Sequence, residues 1–161
     1  MHITRLDRRT LALAQLNPVC CELLRKIVSS ADPGEDGPAH ARLFQTPTAG
    51  REPEADRDWR EYVEPDLRRL FQDALEVVAE DLKTLSGEGR RGGATLCIPV
   101  PNLEAWVHAL NQARLAIVAR EGFSEKEMDG RVPLEGEARA LTLFQVHFYG
   151  FLQEAFLREL P

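Results

Sequence analysis

LEAWVHALNQARLAIVARE, residues 103–121, is the stretch whose reading decides the fold. Leu103, Trp106, Val107, Leu110, Ile117 and Val118 recur at the spacing of one helix face, which predicts a long helix packed on a core. Arg114 falls within roughly 20° of the centre of that stripe, with Asn111 at its edge. A guanidinium keeps its proton, so burying it demands a carboxylate, several carbonyls or a bound anion. Asp81 and Glu137, each near an apolar face of its own helix, are the candidate carboxylates, with Gln145 as a further polar partner. The structural reading is a buried ion pair completed by Asn111. The functional one makes Asn111 and Arg114 a small-anion or carboxylate site in a pocket.

Upstream, HITRL (2–6) and TLALAQL (10–16) alternate as two short strands around Asp7-Arg8-Arg9. Asn17-Pro18 then opens a helix to about Ser29, Asn as N-cap and Pro at the first helical position. Residues 30–58 are polar and rich in Gly and Pro, a long loop anchored by Ala41-Arg42-Leu43-Phe44, with a short helix opening at Pro53. A further helix follows Glu64-Pro65 and buries a face running from Leu67 to Leu85. Residues 86–94 form a Gly-rich connector. Gly87 to Gly92 match the letters of the dinucleotide fingerprint, but with a helix before and a strand (Ala94–Pro99) after, the reverse of a phosphate-cradling loop. Residues 122–134 form another loop before a final helix over 135–160.

The expected architecture is mainly α with a minor β element. It is one domain over 1–161, a bundle of four to five helices with an N-terminal β-hairpin and one further short strand.

The last helix carries apolar residues on two sides. Leu141, Phe144, Phe148, Phe151, Leu152, Ala155 and Phe156 make the main face; Leu143, Val146, Gly150 and Leu157 make a second stripe. Such a helix is either central to its own bundle or pairs with another chain, and the second stripe is the candidate interface. Gly150 weakens the helix by about 1 kcal/mol against Ala, which close approach by a neighbour would offset.

Composition narrows the function classes. With 43% hydrophobic and 29% charged residues, the 161-residue chain reads as globular. Its net charge of −6 argues against a nucleic-acid partner, whose footprint is a basic face. No apolar run is long enough to span a membrane and no signal-peptide pattern opens the chain, so a cytoplasmic location is expected. Cys20, Cys21 and Cys97 fit reduced thiols. Glu104 and His108 have metal-ligand spacing, and His147 and Glu154 share a side of the last helix, yet neither pair brings a full ligand set. No metal or cofactor is assigned. No nucleophile elbow, P-loop, EF-hand or zinc ribbon is present, and enzyme status stays open, leaning to none.

Ala105-Trp106-Val107-His108-Ala109-Leu110-Asn111-Gln112-Ala113-Arg114-Leu115 resembles the Trp…Leu-Asn-x-x-Arg-Leu signature of a bacterial family catalogued as domain of unknown function 2017. Ala41 to Phe44, Trp59-Arg60 with Asp66-Leu67-Arg68, and Phe151 to Glu154 look similar in order along the chain. Gln112-Ala113 stands where an Asp and a Leu are commoner in the family. The resemblance implies a cytoplasmic role near Clp-type protein turnover, an inference from gene neighbourhood rather than chemistry. The leading expectation is a non-catalytic cytoplasmic domain that binds protein, itself or another chain. The alternative is an enzyme or small-ligand binder centred on Arg114 and Asn111.

Overall fold

The N-terminal strands pair where the alternation places them. β1 (His2–Arg5) and β2 (Thr10–Leu16) run antiparallel around a turn in which the Asp7 carboxylate accepts the Arg9 N–H at 2.6 Å. β3 (Ala94–Pro99) pairs antiparallel with the other side of β2, giving a three-stranded sheet of order β1-β2-β3. The register slips between Leu13 and Leu16. Gln15 takes up the slip at φ 54°, and Gly93, φ +75°, packs so closely that a Cβ there would lie 3.0 Å from the Gln15 backbone. The irregularity exchanges the parity of the strand: Gln15 turns to solvent and Leu16 into the core beside Leu11 and Leu13.

The structure is a computed structural model describing residues 1–87 and 92–160. It is mainly α with a minor β element, 62% helical. Asn17 caps α1 (Pro18–Arg25), its side chain accepting the Cys20 N–H at 2.8 Å. After Lys26 come α2 (Ile27–Ala31), α3 (Pro38–Leu43), α4 (Pro53–Tyr62) and α5 (Glu64–Leu82). A 3-10 turn at Val100–Asn102 leads into α6 (Leu103–Glu121), then α7 (Glu125–Met128) and α8 (Glu137–Glu159). The described residues therefore hold more helices than the four to five read from sequence. The one helix expected to about Ser29 is broken at Lys26 into α1 and α2, and two further short pieces lie inside expected loops: α3 within 30–58 starts at Pro38, and α7 within 122–134 closes a Ser124/Glu127 capping box. The Gly87–Gly92 match lies largely outside the described residues; beside it, Ser86 and Thr95 exchange backbone hydrogen bonds of 3.0 and 2.8 Å.

α6 runs through the middle of the molecule against α2, α3, α5 and α8. Its buried arc comprises Leu103, Trp106, Ala109, Leu110, Gln112, Ala113, Ala116 and Ile117. The alanines are as buried as the large residues because they admit neighbouring helices at close range. That moves the centre of the arc towards Ala113, about 100° from Arg114 at one residue's rotation. Arg114 accordingly sits half-buried at the border, not at the centre of the face as the large apolar residues alone predict.

Candidate functional site

Asp81 and Arg114, expected as partners, occupy separate sites. Asp81 lies in the last turn of α5 with only 6% of its surface exposed. Its Oδ2 accepts the Trp106 indole N–H at 2.8 Å, and the Asn102 amide donates to both oxygens at 2.9 and 3.0 Å. The wholly buried Trp106 meets Phe156 edge-on at 5.8 Å, so the carboxylate ties α5 to the start of α6 beneath α8.

Arg114 points instead at α8, where Nη1 donates to Gln153 Oε1 at 2.7 Å. Its Nε is buried with no partner among the described residues. The guanidinium lies across Gly150: a Cβ there would come within 3.2 Å of Cζ and 3.3 Å of Nε. The close approach at Gly150 thus comes from the chain's own Arg114. Glu137 is exposed at the first turn of α8, and Asn111 is exposed with no hydrogen bond to Arg114 among the described residues. Gln145 serves Tyr149 and Ser30, donating at 2.8 and 2.9 Å, while the Tyr149 hydroxyl donates to the Leu23 carbonyl at 2.7 Å. Burial, ahead of these contacts, pushes the Tyr149 hydroxyl up to about 12.

α8 is turned differently from its two-stripe reading. Leu143 and Val146, read as interface, are buried within the chain with Phe148, Tyr149, Leu152 and Phe156. Leu157 is exposed. Part of the expected main face is also left in solvent: Leu141, Phe144 and Phe151 are 58, 50 and 54% exposed. Phe144 stacks on the rim of Phe148 with ring centroids 6.5 Å apart. Glu137 and Arg158 flank the two exposed rings along the same side of the helix, and Arg158 lies 3.7 Å from Glu154.

The loop before α8 is tied to it by Arg139. Arg139 Nε donates to Glu127 at 2.8 Å, Nη1 donates to the Glu121 carbonyl at 3.0 Å, and the guanidinium stands 4.3 Å over the Phe123 ring. Hydrogen bonds from Arg139 and then from Ser124 hold the Glu127 carboxyl down at about 2. His108, half-buried, lies 3.9 Å from the exposed Glu104. Among the described residues no group of three His, Cys, Asp or Glu side chains is placed to hold a metal ion, and no helix is long and apolar enough to cross a membrane.

The fold and the free face of α8 define a mainly helical domain with one helix that leaves apolar side chains open on its outer side. A family model described as domain of unknown function (DUF2017) matches residues 5–160, and the chain belongs to that family. Comparison with curated proteins finds no match, and comparison with solved structures finds none either.

Proposed function

We propose that the chain is a non-catalytic protein-interaction domain that works as a homodimer, with two α8 helices packed antiparallel through their outer faces. One observation carries the reading. Glu137, Phe144, Phe151 and Arg158 recur at intervals of seven residues on the open side of α8, and the series is self-complementary. A seven-residue interval stays on one side of a helix, drifting about 20° per step. In a two-fold pair centred between residues 147 and 148, Phe144 of each copy meets Phe151 of the other, and each Glu137 meets an Arg158. The helix dipoles run in opposite directions in such a pair, which adds a small favourable term.

The size of the contact sets its strength. A phenylalanine offers about 150–250 Å² in all, so the half-exposed rings still have roughly 100 Å² each to bury. Four rings, two Leu141 side chains and the flanking charged stems total about 1,000 Å², the low end of specific interfaces. The dimer is therefore a weak, concentration-dependent one. A cytoplasmic setting, and the link to Clp-type turnover that the family resemblance implies, belong to the same proposal.

Sedimentation equilibrium over about 1–500 μM tests it, since that span brackets the free energies expected of such an interface. Self-association is expected, with Phe144→Glu and Phe151→Glu giving folded monomers of unchanged helical circular dichroism. Arg158→Glu and Glu137→Arg should each weaken the dimer, and the two together should restore it. A wild-type chain that stays monomeric throughout refutes the proposal; failure of the paired exchange to rescue refutes the register.

A further inference from the structure

The geometry points to a small-molecule site on the opposite flank of α6: a cleft for a largely apolar ligand that presents an N–H or O–H donor to Gln112. The cleft measures about 700 Å³ and lies between α2 and α5, with α6 as its floor. That volume falls within the range of ligand pockets, about 300–1,000 Å³. Val28, Phe44, Phe71, Leu75 and Ala79 supply its apolar walls. At the floor stands Gln112, 2% exposed, with its Oε1 buried and unpartnered among the described residues.

A buried amide oxygen without a donor is a cost that nothing in the fold offsets, since buried polar groups are almost always hydrogen-bonded. A donor reaching the floor of the cleft would satisfy it once the Gln112 amide turns towards the opening. Arg25 and Arg68 stand at the mouth with Asp32 and Glu76, two charges of each sign. Arg68 is also held in place, donating to Glu64 and lying 4.1 Å over the Phe44 ring. The mouth therefore carries no net charge to select an ion, and recognition rests on the apolar walls and the single deep acceptor. The location explains why the space is open. The cleft lies where the main core, with Val28 and Leu75 packed against it, meets a smaller cluster built around Leu43, Phe44 and Ala116.

Indole and 1-methylindole are the probes that isolate the acceptor, because they share an apolar body and differ in the N–H. Their binding to the full chain is read by amide chemical-shift titration. Indole should bind at millimolar concentration or below and shift the amides of Val28, Phe71, Leu75 and Gln112. 1-Methylindole should bind about tenfold more weakly, the loss expected when a buried acceptor stays unpaired. Gln112→Met keeps the volume and removes the acceptor, so it should bind the two probes alike. No shift in the cleft with either probe, shifts confined to Phe144 and Phe151, or an unchanged preference in Gln112→Met would each overturn the assignment. Binding restricted to apolar peptides would overturn it too, in favour of a peptide groove.

Discussion

Asp81→Ala is the perturbation that asks most of the fold. The substitution strands two donors. The Trp106 indole N–H is wholly buried and cannot turn to water, and leaving such a donor unsatisfied costs about 1–3 kcal/mol. Asn102 is half-buried, so its amide can be rehydrated, adding less than about 1 kcal/mol. Against this, Asp81 sits in the last turn of α5, where the helix dipole disfavours a negative charge; its removal returns roughly 0.5 kcal/mol. The net cost is about 0.5–3.5 kcal/mol, centred near 2 kcal/mol, which in a chain of this size lowers Tm by roughly 4–8 °C. Asp81→Asn keeps one carbonyl oxygen for the indole and should cost about half as much. Thermal and urea unfolding, followed by circular dichroism and tryptophan fluorescence, provide the measurement. A double-mutant cycle with Trp106→Phe should show strong non-additivity, because the second change removes the donor the first one strands. An Asp81→Ala protein melting within about 1 °C of wild type, or a cycle that is simply additive, would refute the reasoning.

Three further outcomes follow from described contacts. Burial raises the Asp56 carboxyl, but hydrogen bonds from Thr48, Gly50 and Thr46 outweigh it and hold the group at about 2. A folded pKa below the ordinary 3.8 means this anchor stabilises fully above about pH 4 and is lost on acidification towards 2; the protection of the Gly50 amide, relative to its intrinsic exchange rate at each pH, should fall over that window, and Asp56 titrating near 4 in the folded protein would contradict it. Gly150→Ala should stay within about 0.5 kcal/mol of wild type, helix propensity balancing a small shift of the Arg114 tip, whereas Gly150→Val should cost about 2 kcal/mol by displacing the guanidinium from Gln153; equal melting points for the two variants would exclude the close approach. Arg139→Ala should bring the Glu127 titration up from about 2 towards the usual 4.5 and speed amide exchange across residues 122–136, both readable by NMR; an unmoved Glu127 would remove Arg139 as the cause.

The parts of the fold that could be read from sequence are those written in local chemistry. Asn17-Pro18 marks a helix start because cap and proline act on adjacent backbone, and the strands around Asp7-Arg8-Arg9 show their alternation within a few residues. Pro38 carries the same local signal, yet the polar residues around it concealed a helix whose inner face is only Ala39 and Leu43. What escaped was phase. On α6 the large residues outline a stripe, but Ala109, Ala113 and Ala116 are equally buried, and small side chains give no sign of how near a neighbour comes. On α8 both expected faces are split, since the helix is rotated by its neighbours, with the chain's own Arg114 across Gly150. The roles of Asp81 and Gln153 were hidden because their partners lie on other elements. Gln112 was visible only as a departure from the family's commoner residue; its lack of a partner is a property of space, not of sequence. Only exposure picks out the seven-residue series from Glu137 to Arg158.

The edge-on contact between Trp106 and Phe156 has a bearing on biosynthesis. The ribosome makes α8 after every other described element, and its Tyr149, Leu152 and Phe156 cover a core whose other walls are already synthesised. At about 5–20 residues per second, the chain waits several seconds with the indole of Trp106 uncovered before Phe156 can reach it. Until then the apolar walls that α8 closes stay open on the nascent chain.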